Sequence, residues 1–115
     1  MASKFRGLTV YRLSTAIADE LYADVSRWPS FDRWTVGLQL VRAADSVGAN
    51  VAEASGRWHE ADKRRLLIIA RGSLYETEHW LLRARTRDLL QTNTDEKLDE
   101  LMRTLNGLIK KPTPR

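Results

Sequence analysis

Apolar residues recur every three to four positions in four separate stretches of this chain, the spacing of helices that each bury a stripe. Over 9–28 the stripe is Val10, Leu13, Ile17, Leu21, Val25 and Trp28, with Arg12, Asp19, Ser26 and Arg27 opposite, and Pro29 stops the run. After a short turn at 29–33, a second helix is expected over 34–55, with Gly56 placed to cap its C-terminus. A third is expected over 60–90, with His59 and Glu60 at its start, where acidic side chains suit the helix dipole. The fourth covers 95–109: Thr94 is the expected N-cap, Asp95 and Glu96 fill the first turn, and Leu98, Leu101, Met102, Leu105 and Leu108 form the stripe. Sustained alternation and hairpin turns are missing, and all connections are short. The pattern therefore predicts an all-α protein, an antiparallel up-down-up-down four-helix bundle in one domain over 1–115, with tails frayed at 1–6 and 110–115.

The middle two helices are apolar over more than one face. The second places Trp34, Leu38, Val41, Ala44, Gly48, Val51, Ala52 and Ser55 on one side, extended by Val36, Leu40, Ala43, Val47 and Ala54. The third has one face of Leu66, Ile69, Ala70, Ser73, Thr77, Trp80, Leu81 and Ala84, and another of Leu67, Ile68, Leu74, Tyr75, Leu82 and Leu89. A bundle of four helices has no internal partner for a second apolar face, so a neighbouring subunit is the expected cover. Trp58 and Trp80 read as packing residues, with Trp58 also suited to anchor an interface.

Composition adds three restrictions. At 115 residues the chain holds one core and one function, and with no cysteine it has neither disulfides nor thiolate metal sites. No apolar run approaches a membrane span, so no membrane partner and a cytoplasmic location are expected. The net charge is +4, from 19 basic and 15 acidic residues. The basic excess falls within 61–91, the third helix, so an anionic partner should meet that element first.

On the second helix Gln39, Arg42, Ser46, Asn50, Glu53 and Arg57 follow one another at three- and four-residue steps, between its apolar faces. On the third, Arg71, Ser73 and Glu76 interrupt an apolar segment, where burial requires a partner for each polar group. These same residues carry a resemblance. Gln39-Leu40-x-Arg42-Ala43-Ala44-x-Ser46-Val47, then Asn50-Val51-Ala52-Glu53, Gly56-Arg57, and Leu67-x-Ile69-Ala70-Arg71-Gly72-Ser73-Leu74-x-Glu76 resemble the proteins encoded in intervening sequences of bacterial 23S ribosomal RNA genes. The stretch 59–62 and the Ala54-Ser55 step depart from that family's pattern. The resemblance implies a four-helix bundle and a ring-shaped homopentamer, and it brings no established activity. A related group, the accessory variability determinants of retroelements, binds nucleic acid and a reverse transcriptase.

Two functional readings follow. In the first, the protein is a non-enzymatic homo-oligomer that binds RNA or DNA as an accessory factor, with Arg65, Arg83 and Arg87 of the third helix on phosphates. In the second it is a purely structural oligomer with a protein partner, and Gln39, Arg42, Ser46, Asn50, Glu53, Arg71, Ser73 and Glu76 form a polar network between helices or subunits. Enzyme and metal readings are weak. Glu76-x-x-His79 has the spacing of a ligand pair in di-iron bundles, but it lacks the second copy such a site requires. No nucleophile motif or Gly-rich phosphate loop is present, so neither a catalytic residue nor a cofactor is expected.

Overall fold

The computed structural model describes residues 4–111, and fraying expected at 1–3 and 112–115 lies outside the described residues. Lys4–Gly7 forms a 3-10 turn where fraying was expected, and the Phe5 ring meets Tyr11 edge-on with centroids 4.9 Å apart. Four long helices follow. Helix α1 is Thr9–Ser26. Helix α2 is continuous through an α-helical turn Ser30–Asp32, a π-helical turn Arg33–Gly37 and the α-helix Leu38–Ser55. Helix α3 is Glu60–Thr86, and α4 is Asp95–Lys110.

Their arrangement is an all-α bundle in which neighbours run antiparallel. Gly48, late in α2, lies over Tyr11, Ser14 and Thr15 of early α1, whereas Gly37 lies against Val25 and Trp28. Ser46 of α2 donates its hydroxyl hydrogen to Ser73 of α3. Arg71 and Arg85 of α3 reach Asn106 and Asp95 of α4, in reversed order. Lys97 of α4 pairs with Glu20 of α1 and closes the circuit. Inside it, Ile17, Leu21, Leu40, Val47, Val51, Leu74, Leu101 and Leu105 are fully buried.

The boundaries differ from those expected, each for a local reason. At the end of α1 the Arg27 and Trp28 amides turn back to Asp24 and Val25, tightening the last turn two residues before the expected end. Helix α2 starts four residues early because Pro29 occupies the N-cap position. It has no amide to lose there, and its carbonyl accepts from Arg33. Gly37 then permits a close approach: a Cβ at this position would stand 2.6 Å from Val25 Cγ1. Gly56 does cap α2, but with φ −90°, so no left-handed turn is involved.

Helix α3 ends at Thr86 rather than near 90. Asp88 is the one described non-glycine residue with positive φ, at 56°, and the Leu89 and Asp88 amides return to Ala84 and Arg85. That is a Schellman turn with aspartate in the place glycine usually takes. At the start of α4, Thr94 is buried and makes no side-chain cap; Asn93 Oδ1 accepts from the Asp95 amide at 3.0 Å instead.

Asp24 is fully buried at the end of α1, among apolar positions. Its Oδ1 accepts from Trp28 Nε1 at 2.8 Å, and its Oδ2 accepts from the backbone amides of Gln91 and Thr92 at 2.9 and 2.8 Å. Three donors thus satisfy one buried carboxylate, which ties α1 to the α3–α4 connection. Asp24→Ala strands those donors in the interior and is expected to lower the unfolding free energy by about 3 kcal/mol. An unchanged midpoint in urea would rule out this role.

Candidate interaction surfaces

The exposed side of α3 is divided lengthwise. Ile68, Tyr75 and Leu82, seven residues apart, make an apolar ridge, with Tyr75 and Leu82 57% and 58% exposed. Leu82 also lines a crevice with Asp95, Leu98 and Asp99, which puts the ridge on the α4 side. Arg65, Glu76, Arg83 and Arg87 occupy the other edge, and Arg87 shares a crevice with the start of α2. All four are exposed. Among the described residues, Arg65, Arg83 and Arg87 have no carboxylate within ion-pairing distance. Arg83 and Arg87 are one turn apart, and Arg65 is about 27 Å away along the axis.

The polar positions do not form one network within the subunit. Ser46 meets Ser73 between α2 and α3, and Asn50 Nδ2 donates to the Ser46 carbonyl at 2.8 Å. Glu53 pairs with Arg57 at 2.6 Å on the surface, while Arg42 and Gln39 are exposed. Arg71 turns the opposite way and donates to Asn106 of α4 at 2.9 Å. Two residues apart on a helix do not face each other, so Arg71 and Ser73 serve different seams. Glu76 is exposed and accepts from Trp80 Nε1 at 3.4 Å. His79, also exposed, stands edge-on to the Trp80 ring with centroids 4.8 Å apart. No group of three or more metal-ligating side chains occurs among the described residues.

Two surfaces emerge that periodicity did not reveal. Between α1 and α2 a groove of about 320 Å³ is lined by Tyr22, Val25, Trp34, Leu38 and Val41. Trp34, expected on the buried side, is 70% exposed because the π-helical turn and Gly37 bring α2 against α1 beneath it. Further along the same groove stand Ala18, Asp45 and Ala49. On the other side of α2, Phe31, Asp32, Thr35, Gln39, Trp80 and Arg87 line a crevice of about 440 Å³. The sequence signal for that crevice is Pro29-Ser30-Phe31-Asp32, a helix start rather than a turn. Trp58 is no packing residue: it is 90% exposed between α2 and α3. Ile69 is likewise exposed rather than part of the buried face.

Two carboxyls on these surfaces are perturbed. Burial, and then the charge of Asp19 across the groove, raises Asp45 above its ordinary value of 3.8. Burial, and then Asp99 and Asp95 of α4, raises Glu78 above 4.5.

Comparison with known proteins adds a family. The model of the 23S rRNA-intervening sequence protein family matches residues 6–111. Among solved structures, the chain is similar to a protein of unknown function from the S23 ribosomal protein family of Bacteroides thetaiotaomicron VPI-5482. The TM-score is 0.78 at 24% identity, over 90% of this chain and 100% of that one. At that identity the likeness concerns the fold alone. No curated protein matches.

The raised carboxyl on α3 makes stability depend on pH. Glu78 binds its proton more tightly folded than unfolded, so its contribution to stability is present at low pH and is lost as pH rises through the folded value. Glu78→Gln is expected to melt above the parent at pH 7, with the difference closing as pH falls towards 4.5. Parallel melting curves of the two proteins at all pH values would contradict this.

Proposed function

The chain belongs to the 23S rRNA-intervening sequence protein family, and we propose that it acts in the cytoplasm as a non-enzymatic homo-oligomer that holds nucleic acid as an accessory factor. The observation that carries this reading is the division of the outer surface of α3 into an apolar ridge and a basic edge without ion pairs. The ridge needs cover, and the edge needs an anion.

For assembly, one subunit offers two unlike apolar surfaces, the α3 ridge and the α1–α2 groove with Tyr22 and Trp34. Docking of unlike surfaces is heterologous and closes into a ring when the rotation permits. The family resemblance supports a count of five. For nucleic acid, Arg65, Arg83 and Arg87 lie along one edge, and repetition round a ring makes even a modest patch multivalent. A phosphate backbone is common to RNA and DNA, so either suits this edge. A second reading, a scaffold for a protein partner, is favoured by Trp58, which projects from the α2–α3 connection.

Sedimentation tests the assembly. The parent should sediment at a multiple of 13.2 kDa, and Tyr75→Glu with Leu82→Glu should reduce it to monomer. A monomeric parent at micromolar concentration would refute the ring. RNA retention by the parent should fall steeply with salt and be lost in Arg65→Glu with Arg83→Glu. Retention indifferent to both salt and these charges would leave the scaffold reading in its place.

A further inference from the structure

We infer that the crevice between the start of α2 and the end of α3 takes an unpaired nucleotide of a single strand, a proposal that rests on nucleic-acid binding and specifies its form. Its six principal lining residues supply the chemistry a nucleotide requires. Phe31 is 78% exposed at the start of α2, and Trp80 is half-buried on α3, so two aromatic rings border one space. Phe31 lies outside the core, while Trp80 packs against it and is only partly covered, and a nucleobase stacks on open ring surface without regard to sequence. Asp32 and Gln39 offer a carboxylate and an amide to a base edge, both able to accept from amino groups and the amide also able to donate.

Arg87 supplies the anion contact. It caps the C-terminus of α3, is exposed, and among the described residues pairs with no carboxylate. Guanidinium geometry suits a phosphate bidentately. The crevice itself is shaped locally: Thr35 donates to the Phe31 carbonyl at 2.8 Å, which holds the first turn of α2 where Pro29 starts it. Its volume of about 440 Å³ lies in the range of small-ligand sites.

A duplex presents no free base face, whereas a single strand presents one at every residue. Arg83 continues from Arg87 by one turn, so the backbone leaving the crevice meets a second guanidinium on the same edge. An acidic peptide would meet the same Asp32 carboxylate but brings no base face to Phe31 and Trp80, which favours the nucleotide. The crevice is also separate from the surfaces proposed for assembly, since Trp34 and Leu38 line the groove on the other side of α2.

Fluorescence anisotropy with a labelled 12-nucleotide strand, the corresponding duplex and a mononucleotide competitor tests this. Phe31→Ala should weaken single-strand binding by roughly 5- to 150-fold, the range of one lost stacking contact, and leave duplex binding within about twofold. Arg87→Glu should weaken both. Because Phe31 is exposed, its replacement leaves the core intact, and circular dichroism should match the parent. Single-strand binding unchanged in Phe31→Ala, or a mononucleotide competing as well as the strand, overturns the crevice while leaving nucleic-acid binding in place. A parent that binds neither strand nor duplex overturns both.

Discussion

A carboxylate without exposure persists in a protein interior only when its lone pairs are filled, and Asp24 is filled from two distant parts of the chain. The indole N–H of Trp28 comes from the end of its own helix, and the amides of Gln91 and Thr92 come from the connection between α3 and α4. This arrangement fixes where α4 begins relative to α1, and the ion pair of Lys97 with Glu20 continues the contact one turn along. Closing the bundle thus depends on hydrogen-bond geometry as well as on apolar burial, which is non-directional and leaves helix register open.

With the circuit closed at that seam, α2 determines what the outside looks like. It packs on α1 through Gly37, Ala44 and Gly48, and meets α3 at Ser46. Small residues permit close approach, and close approach leaves large neighbours without room inside. Trp34 and Tyr22 on the α1 side, and Phe31 on the α3 side, are consequently displaced to the surface. The aromatic surfaces follow from the tight packing beneath them. A tightly packed four-helix core excludes these large rings and leaves them on the surface.

How much of this was legible can be argued from particular residues. Helix number, the stripe of α1 and most of that of α4 follow from periodicity alone, because each of those helices buries one face; at the end of α4, Ile109 is buried and the expected Leu108 is 40% exposed. Periodicity fails where a polar residue occupies an apolar position with dedicated partners, as Asp24 does: its donors are more than sixty residues away in sequence. It fails also where the helix period changes. The π-helical turn Arg33–Gly37 shifts the angular positions of the residues within and before it, so Trp34 leaves the buried side and Phe31 comes to border the crevice. The family motif covers the close contacts of α2 with α3, which is why it carried the fold. Its polar residues separate into a Ser46–Ser73 contact, a surface ion pair and an Arg71–Asn106 bridge, because alternate residues on one helix point in different directions.

Charge placement argues further that the two edges of α3 have different roles. On the α4 side Arg85 pairs with Asp95, and Glu78, Asp95 and Asp99 surround the crevice that Leu82 enters. Burial, and then the charges of Asp99 and Asp95, raises the Glu78 carboxyl, and negative charge there repels a polyanion. On the α2 side, among the described residues, Arg83 and Arg87 form no ion pair; Glu76, two turns from Arg83, is hydrogen-bonded to Trp80, and Asp32 shares the crevice with Arg87. On the proposed reading, a phosphate backbone following α3 would be drawn to the α2 edge and kept off the apolar ridge. The ridge would then stay available to another subunit with the basic edge occupied, so the proposed assembly and anion binding would not compete for one surface.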